Sequence, residues 1–316
     1  MHGNKYDTDV TVWSPEGKLH QVKYAMEAEK QGSACCGIRT NKYVVLGAFR
    51  RRPNELASYQ RKIVEIDTHM GIAMSGLTAD ARALSKYMRT ECMDHEYVYG
   101  RKMPMEMLVR QVAEKEHFCT LTYERRPYGV GLLIGGVDSK GPHLFHTSPS
   151  GEYLEYSACA IGSRSQSAKT ALSRRFLNEE TNVVTVSDDL TLDELISIVL
   201  DALKGCVQGD SKMTKENCSV AVVGVDLPFR ELSEEEIAPY VNALTQWIVC
   251  FTPDRTMKGG QAGRQAGRQA GRQAGRQAGR QAGRQAGRQA GRQAGRQAGR
   301  QTGRQVAEIA KSGISC

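Results

Sequence analysis

Ser14-Pro15-Glu16-Gly17-Lys18-Leu19-His20-Gln21-Val22-Lys23-Tyr24-Ala25 is the stretch from which the chain is best read. Proline fixes φ at the second position of the first four residues, and glycine tolerates positive φ at the fourth, so this is a tight turn. From Lys18 to Lys30 there is no Gly or Pro, and Leu19, Val22 and Met26 recur at helical spacing. That predicts an amphipathic helix entered directly from the turn, with Gly32 ending it. Asp9–Trp13 ahead of the turn is a short alternating segment.

Downstream, the pattern switches to short strand-like runs: Ser33–Arg39, Tyr43–Ala48, Lys62–Asp67 and Gly71–Ser75. Thr78 predicts the N-cap of a long helix to about Tyr97, and Pro104 the start of a second to about His117. Tyr128–Val137 reads as a buried strand. Asp138–Gly141 turns it into His143–Thr147, and two more strands lie around Tyr153–Ile161. Ser163-x-x-Gln166, Thr191-x-x-Glu194 and Ser233-x-x-Glu236 are capping boxes for helices reaching about Leu177, Cys206 and Gln246. Cys218–Val225 and Phe229–Leu232 are strands between the last two. Strands in antiparallel-looking blocks with helices in pairs predict an α+β fold, with two sheets face to face and helix pairs outside.

The 316 residues carry 43 Lys+Arg and 35 Asp+Glu, a formal net charge of +8. Gln261–Arg300 is ten copies of Gln-Ala-Gly-Arg, and one Gln-Thr-Gly-Arg follows, ending at Arg304. These repeats hold eleven Arg and no acid, which leaves −3 for residues 1–260. A nucleic-acid-binding face on the folded part is therefore not expected; only the Arg-rich tail has the composition for such a contact. We expect one domain over residues 1–250 and a disordered tail over 251–316, whose repeats lack the apolar side chains that ordering requires. No apolar run approaches the roughly 20 residues of a bilayer-spanning helix, so no membrane contact is expected. Met1–Asp7 has no apolar core, so no secretory signal is expected. Nine irregularly spaced cysteines fit free thiols in a reducing compartment.

Few residues group as chemistry. Cys35 and Cys36 read as buried filler rather than nucleophiles. Cys92 with His95, His117 with Cys119, and His143 with His146 each offer two ligands but no four-ligand pattern, so no metal or other cofactor is expected. Gly129-x-Gly131-x-x-x-Gly135 has one residue too many for a dinucleotide loop and lies inside a strand, where the glycines serve close packing.

Several motifs in order then carry a resemblance. They are Tyr6-Asp7, Ser14-Pro15-Glu16-Gly17-Lys18, Gln21-Val22-Lys23-Tyr24-Ala25, Gly32-Ser33, Ser75-Gly76-Leu77-Thr78-Ala79-Asp80-Ala81-Arg82, Arg126-Pro127-Tyr128-Gly129-Val130 and Ala160-Ile161-Gly162. Over roughly residues 4–245 the chain resembles the alpha subunits of the 20S proteasome, most of all their eukaryotic type-1 branch. Trp13, Tyr24–Ala28 and Gly162–Ala168 carry that finer likeness. The resemblance implies the four-layer α/β/β/α sandwich of the Ntn-hydrolase-like subunits. It implies as partners the other alpha subunits of a seven-membered ring, beta subunits below and a regulatory ATPase or other activator above. It also implies a cytoplasmic and nuclear place in ubiquitin- and ATP-dependent protein degradation.

The resemblance further implies that the chain is not itself a protease. Related beta subunits attack with an N-terminal Thr whose own amine is the base. Here the equivalent strand begins near Gly32-Ser33-Ala34-Cys35 with the signature helix still attached, and Phe49-Arg50-Arg51-Arg52 stands where a supporting Asp is expected. Lys62, Gly32 and Leu77 match the family's activator-docking pocket, where an ammonium receives a C-terminal carboxylate. The residues alone allow Lys62 to be an ordinary ion-paired surface lysine. Tyr6, Asp7, Pro15 and Tyr24 match the cluster that holds the N-terminal turn at the gate; alternatively, the two tyrosines merely cover the first helix. Lys23 departs from the usual acid. The alternative for the whole chain is a self-standing Ntn-type hydrolase whose nucleophile is exposed by processing before Ser33 or Cys35.

Overall fold

A computed structural model describes residues 6–52, 54–178, 183–184, 186, 190–207 and 213–251. The chain divides into two units, Met1–Phe251 and Thr252–Cys316, and the expected disordered tail with its Gln-Ala-Gly-Arg repeats lies outside the described residues.

The first unit runs α1 (His20–Gln31), β1 (Cys35–Arg39), β2 (Tyr43–Phe49), β3 (Ile63–Asp67), β4 (Met70–Gly76), α2 (Thr78–Tyr99) and α3 (Met105–Leu121). It continues β5 (Val130–Asp138), β6 (Gly141–Thr147), β7 (Tyr153–Glu155), β8 (Ala158–Ile161), α4 (Ser165–Phe176), β9 (Leu177–Asn178) and β10 (Val183–Val184). It closes with α5 (Leu192–Lys204), β11 (Cys218–Gly224), β12 (Leu227–Glu231) and α6 (Glu234–Phe251). Two five-stranded antiparallel sheets form, ordered β12-β11-β2-β1-β8 and β3-β4-β5-β6-β7. The order is the one the sequence predicts, apart from the β9–β10 hairpin, whose two-residue strands are too short to show a period.

Strand alternation builds the layers. On β2, Val44, Leu46 and Ala48 face the second sheet, meeting Ala73, Leu133 and Leu144, while Val45 faces Leu195, Val199 and Leu203 of α5. β11 repeats this, with Ala221 and Val223 inward and Val220 and Val222 toward the helices. The second sheet turns Ile72, Met74, Leu132 and Ile134 outward against Leu84, Met88, Leu108 and Val112 of α2 and α3. These side chains are almost wholly buried, each contributing roughly 2 kcal/mol on leaving water. Helices α4, α5 and α6 thus cover one sheet, and α2 and α3 the other, giving the four-layer α/β/β/α sandwich. Helix α1 lies on β4 and β5 through Val22, Ala25 and Glu29.

Local signals are kept unevenly. Thr191 and Glu194 close a reciprocal capping box, and Ser233 and Glu236 do the same at α6. Ser163 does not open α4: the helix begins at Ser165, and the Ser163 hydroxyl accepts from Arg51 at 2.9 Å. Gly32 ends α1, but at φ −60° and ψ 154°, not in the left-handed cap geometry. Its role is close approach, because a Cβ there would lie 2.2 Å from the Gly76 nitrogen and 2.3 Å from Ser75 Oγ.

Candidate functional site

The chain's path from α1 into β1 gathers three of the sequence-predicted site residues. Gly32 packs on Ser75 and Gly76 at the end of β4, which places Leu77 next in line at the entrance to α2. Lys62, immediately before β3, reaches the same junction: its Nζ donates to the Ser33 carbonyl at 3.1 Å. That carbonyl also accepts from Ser75 Oγ at 3.3 Å, and Ser75 Oγ donates to the Glu29 carbonyl at 2.9 Å. Leu77 presents an exposed side chain beside this knot, and its backbone nitrogen donates to the Gly129 carbonyl at 2.8 Å.

The structure overturns the ordinary-surface reading of Lys62. Its residue is 3% exposed, and among the described residues no carboxylate pairs with its ammonium. Burial pushes its pKa down; the neighbouring Arg51 charge adds to this, and Cys35 opposes it. A buried cation whose partners are carbonyl dipoles retains the capacity to take a carboxylate, since opposite charge relieves desolvation cost.

The N-terminal cluster assembles at the other end of α1. Ser14 closes the turn twice, its carbonyl accepting from Gly17 N and its Oγ from Lys18 N, with Pro15 exposed at the corner and Gly17 at φ 71°. Tyr24 Oη donates to Asp7 Oδ2 at 3.0 Å, and Gln21 Nε2 donates to the Asp7 carbonyl at 2.5 Å. The bond to Asp7 is the main reason the Tyr24 phenol is held above its ordinary value. Tyr6 is half-buried beside this cluster in sequence, and Lys23 is exposed on α1. Gln21 is a functional-looking contact that reading the motif as turn plus helix passes over.

A second missed contact explains two of the motifs. Asp80, in the first turn of α2, takes a bidentate pair from Arg126 at 2.6 and 2.7 Å and a third bond from Gly129 N at 3.0 Å. Burial alone would raise the Asp80 carboxyl, but the Arg126 and Gly129 bonds and the guanidinium charge outweigh it, and its pKa lies below the ordinary value. The Ser75–Arg82 and Arg126–Val130 motifs are thus two halves of one clamp that fixes Leu77 and the start of α2.

Nucleophilic chemistry finds no support in this geometry. Ser33 is buried at the continuous junction of α1 and β1, with Ser163 N donating to the Gly32 carbonyl at 2.7 Å. Cys35 is fully buried, its Sγ donates to the Met74 carbonyl at 3.1 Å, and burial raises its pKa, so it is a thiol rather than a thiolate. Phe49 ends β2 opposite Cys218, with no carboxylate in its place. Among the described residues no cluster of three or more His, Cys, Asp or Glu could hold a metal ion, and no helix is long and apolar enough to cross a membrane. His95 is bonded to the Arg101 carbonyl, and His146 to Glu29. Gly131 lies inside β5, where a Cβ would strike the Glu29 side chain, so that glycine serves packing rather than a cofactor loop.

Known proteins match this arrangement along most of the first unit. The proteasome-subunit family matches residues 29–223, and the N-terminal signature of the A-type proteasome subunits matches residues 6–28. The chain is 45% identical over 245 residues to the alpha type-1 proteasome subunit of Dictyostelium discoideum, covering 77% of this chain and 96% of that one. It is 43% identical over 244 residues to the probable alpha type-6 proteasome subunit of Schizosaccharomyces pombe, covering 77% and 87%. It is likewise 43% identical over 244 residues to the Drosophila melanogaster alpha type-1 proteasome subunit, covering 76% and 85%.

Proposed function

The chain belongs to the proteasome-subunit family as an alpha-type member, and we propose that it is a scaffold, gate element and activator-docking surface in the alpha ring of the 20S core. It is a non-catalytic component of that core and assembles with other proteasome subunits. The observation that carries the reading is how the N-terminal signature packs: α1 lies on β4 and β5, and the Gly32–Ser33 junction is locked by Lys62, Ser75 and Ser163. A threonine-type hydrolase needs that junction open and ending in a free amine.

In this reading the partners are the other alpha subunits of a seven-membered ring, beta subunits below and a regulatory ATPase or other activator above. The work is ubiquitin- and ATP-dependent degradation in cytoplasm and nucleus. Lys62, Gly32 and Leu77 form this chain's share of an activator pocket. Support comes from their convergence: Lys62 brings a buried charge that no carboxylate among the described residues pairs with, Gly32 permits the close approach, and Leu77 offers an exposed apolar side chain. Asp7, Tyr24, Pro15 and Tyr6 hold the N-terminal turn at the gate, and the exposed Tyr24–Asp7 bond supports this because it can break without disturbing the core. The Arg-rich repeats take no part in this assignment.

Size-exclusion chromatography of the native protein tests the assignment. It is expected to elute in a particle of proteasome size with other alpha and beta chains, and a stable monomer would overturn it. For the pocket, Lys62→Met is expected to leave assembly intact while weakening activator binding at this site. Unchanged activator affinity would remove Lys62 from the docking role.

A further inference from the structure

The chain leaves β2 through Arg50-Arg51-Arg52, a basic run in a unit that is otherwise mildly acidic. A cleft of about 360 Å³ opens there, between the end of β2, Ser163 ahead of α4 and Asn217 ahead of β11. All three arginines line it, and among the described residues no aspartate or glutamate does. Among the described residues Arg51 is fixed by neutral acceptors: its Nη2 donates to Ser163 Oγ at 2.9 Å and its Nη1 to the Gln31 carbonyl at 3.4 Å. The Arg52 guanidinium lies over the Tyr59 ring, 5.2 Å from its centroid. Arg50 stands 5.9 Å from the same ring but also meets Glu234 at 3.4 Å, so part of its charge is already used. Among the described residues no carboxylate comes within ion-pairing distance of Arg51 or Arg52.

Two oriented guanidinium groups that meet no carboxylate among the described residues, facing one polar cleft, ask for an anion. Their fork geometry fits a tetrahedral oxyanion that can take paired N–H bonds from each. Asn217 and Ser163 supply neutral polar atoms, and the volume sits at the small end of ligand pockets, which suits a compact group. We propose that this cleft binds a phosphate monoester or free phosphate dianion through Arg51 and Arg52. Lys62 is not among the residues lining it; the cleft adjoins the activator pocket through Arg51 and Ser163 but does not use the Lys62 ammonium, so it does not rest on that reading.

The assembled core containing this chain provides the test. Equilibrium binding is measured with labelled inorganic phosphate and, separately, with a short phosphoserine peptide, in buffer free of sulfate. One saturable site per copy of the chain is expected, displaced by added sulfate. Arg52→Gln is expected to weaken it about tenfold, the loss of one charge-assisted interaction, and Arg51→Gln with Arg52→Gln to abolish it. Comparable affinity for both probes identifies free phosphate as the source. A peptide at least about tenfold tighter, again one such interaction, identifies a phosphorylated side chain. Arg51→Gln also removes the bond to Ser163, so Arg52→Gln, an exposed side chain resting on Tyr59, is the deciding variant, with unchanged peptidase activity of the core as its control. The proposal is overturned if neither probe binds saturably, or if binding is the same in Arg52→Gln and the wild type.

Discussion

The two ends of α1 are held in opposite ways. At its C-terminal end, Gly32, Ser33, Lys62 and Ser75 interlock at backbone distance in the dry interior. At its N-terminal end, the chain is held to the helix by Gln21 and by one exposed bond from Tyr24 to Asp7. The first arrangement fixes where β1 begins, and changing it costs folding free energy. The second sits in water, where a hydrogen bond exchanges easily with solvent. The difference teaches that one helix can be both rigid anchor and movable latch, with stability concentrated at one end.

Substitutions should break that contrast in graded fashion. Gly32→Ala puts a methyl 2.2 Å from the Gly76 nitrogen, an atom of the backbone that cannot swing away. We expect about 3 kcal/mol or more of destabilisation, read as loss of incorporation into the core and a lowered melting temperature. A near-normal melt would show the junction to be softer than its distances imply.

Asp80→Asn comes next, at about 2 kcal/mol, because the Arg126 partner is largely exposed and the pair is partly screened. Its pH dependence follows from the direction of the shift. The folded pKa lies below the ordinary 3.8, so the stabilisation is present above that value and is lost as pH falls through the lower folded one. The gap between wild type and Asp80→Asn should therefore be full at neutral pH and close progressively below about pH 4. Chemical denaturation at several pH values measures it, and a gap that stays constant into acid would contradict the clamp.

Lys62→Met should change stability by less than about 1 kcal/mol: the lost bond to the Ser33 carbonyl is offset by removal of a buried charge, and Ser75 still serves that carbonyl. Tyr24→Phe is the smallest case. Its melting curve should overlay the wild type, and any effect should appear only in the basal peptidase rate of the assembled core. A substantial fall in melting temperature would make the N-terminal end an anchor as well.

The fold was largely legible because its layers rest on period-two strands and on turn residues with narrow conformational demands. Ser14–Gly17, the Val44–Ala48 alternation and the Thr191 and Ser233 caps each act within a few residues, where sequence is informative. The motifs could point to Lys62, Gly32 and Leu77 only through resemblance. Nothing near Lys62 in sequence announces that its ammonium is buried against Ser33, because that contact spans 29 residues. Asp80 with Arg126 was hidden for the same reason, at a separation of 46. Ser163 misled because a distant arginine competes for the hydroxyl that would otherwise cap α4.

The strand order also has a consequence for synthesis. The second sheet and its two helices are one unbroken segment, Ile63 to Glu155, whereas β2 pairs along its other edge with β11, Tyr43 against Gly224 and Phe49 against Cys218. As the ribosome works from the N-terminus, the middle of the chain can close on itself while β2 waits through roughly 170 more residues, on the order of 10–30 s at ordinary elongation rates. Throughout that interval the nascent chain carries an apolar strand edge, Val44-Val45-Leu46, with no partner yet made. This is the stretch that a folding helper would have to shield.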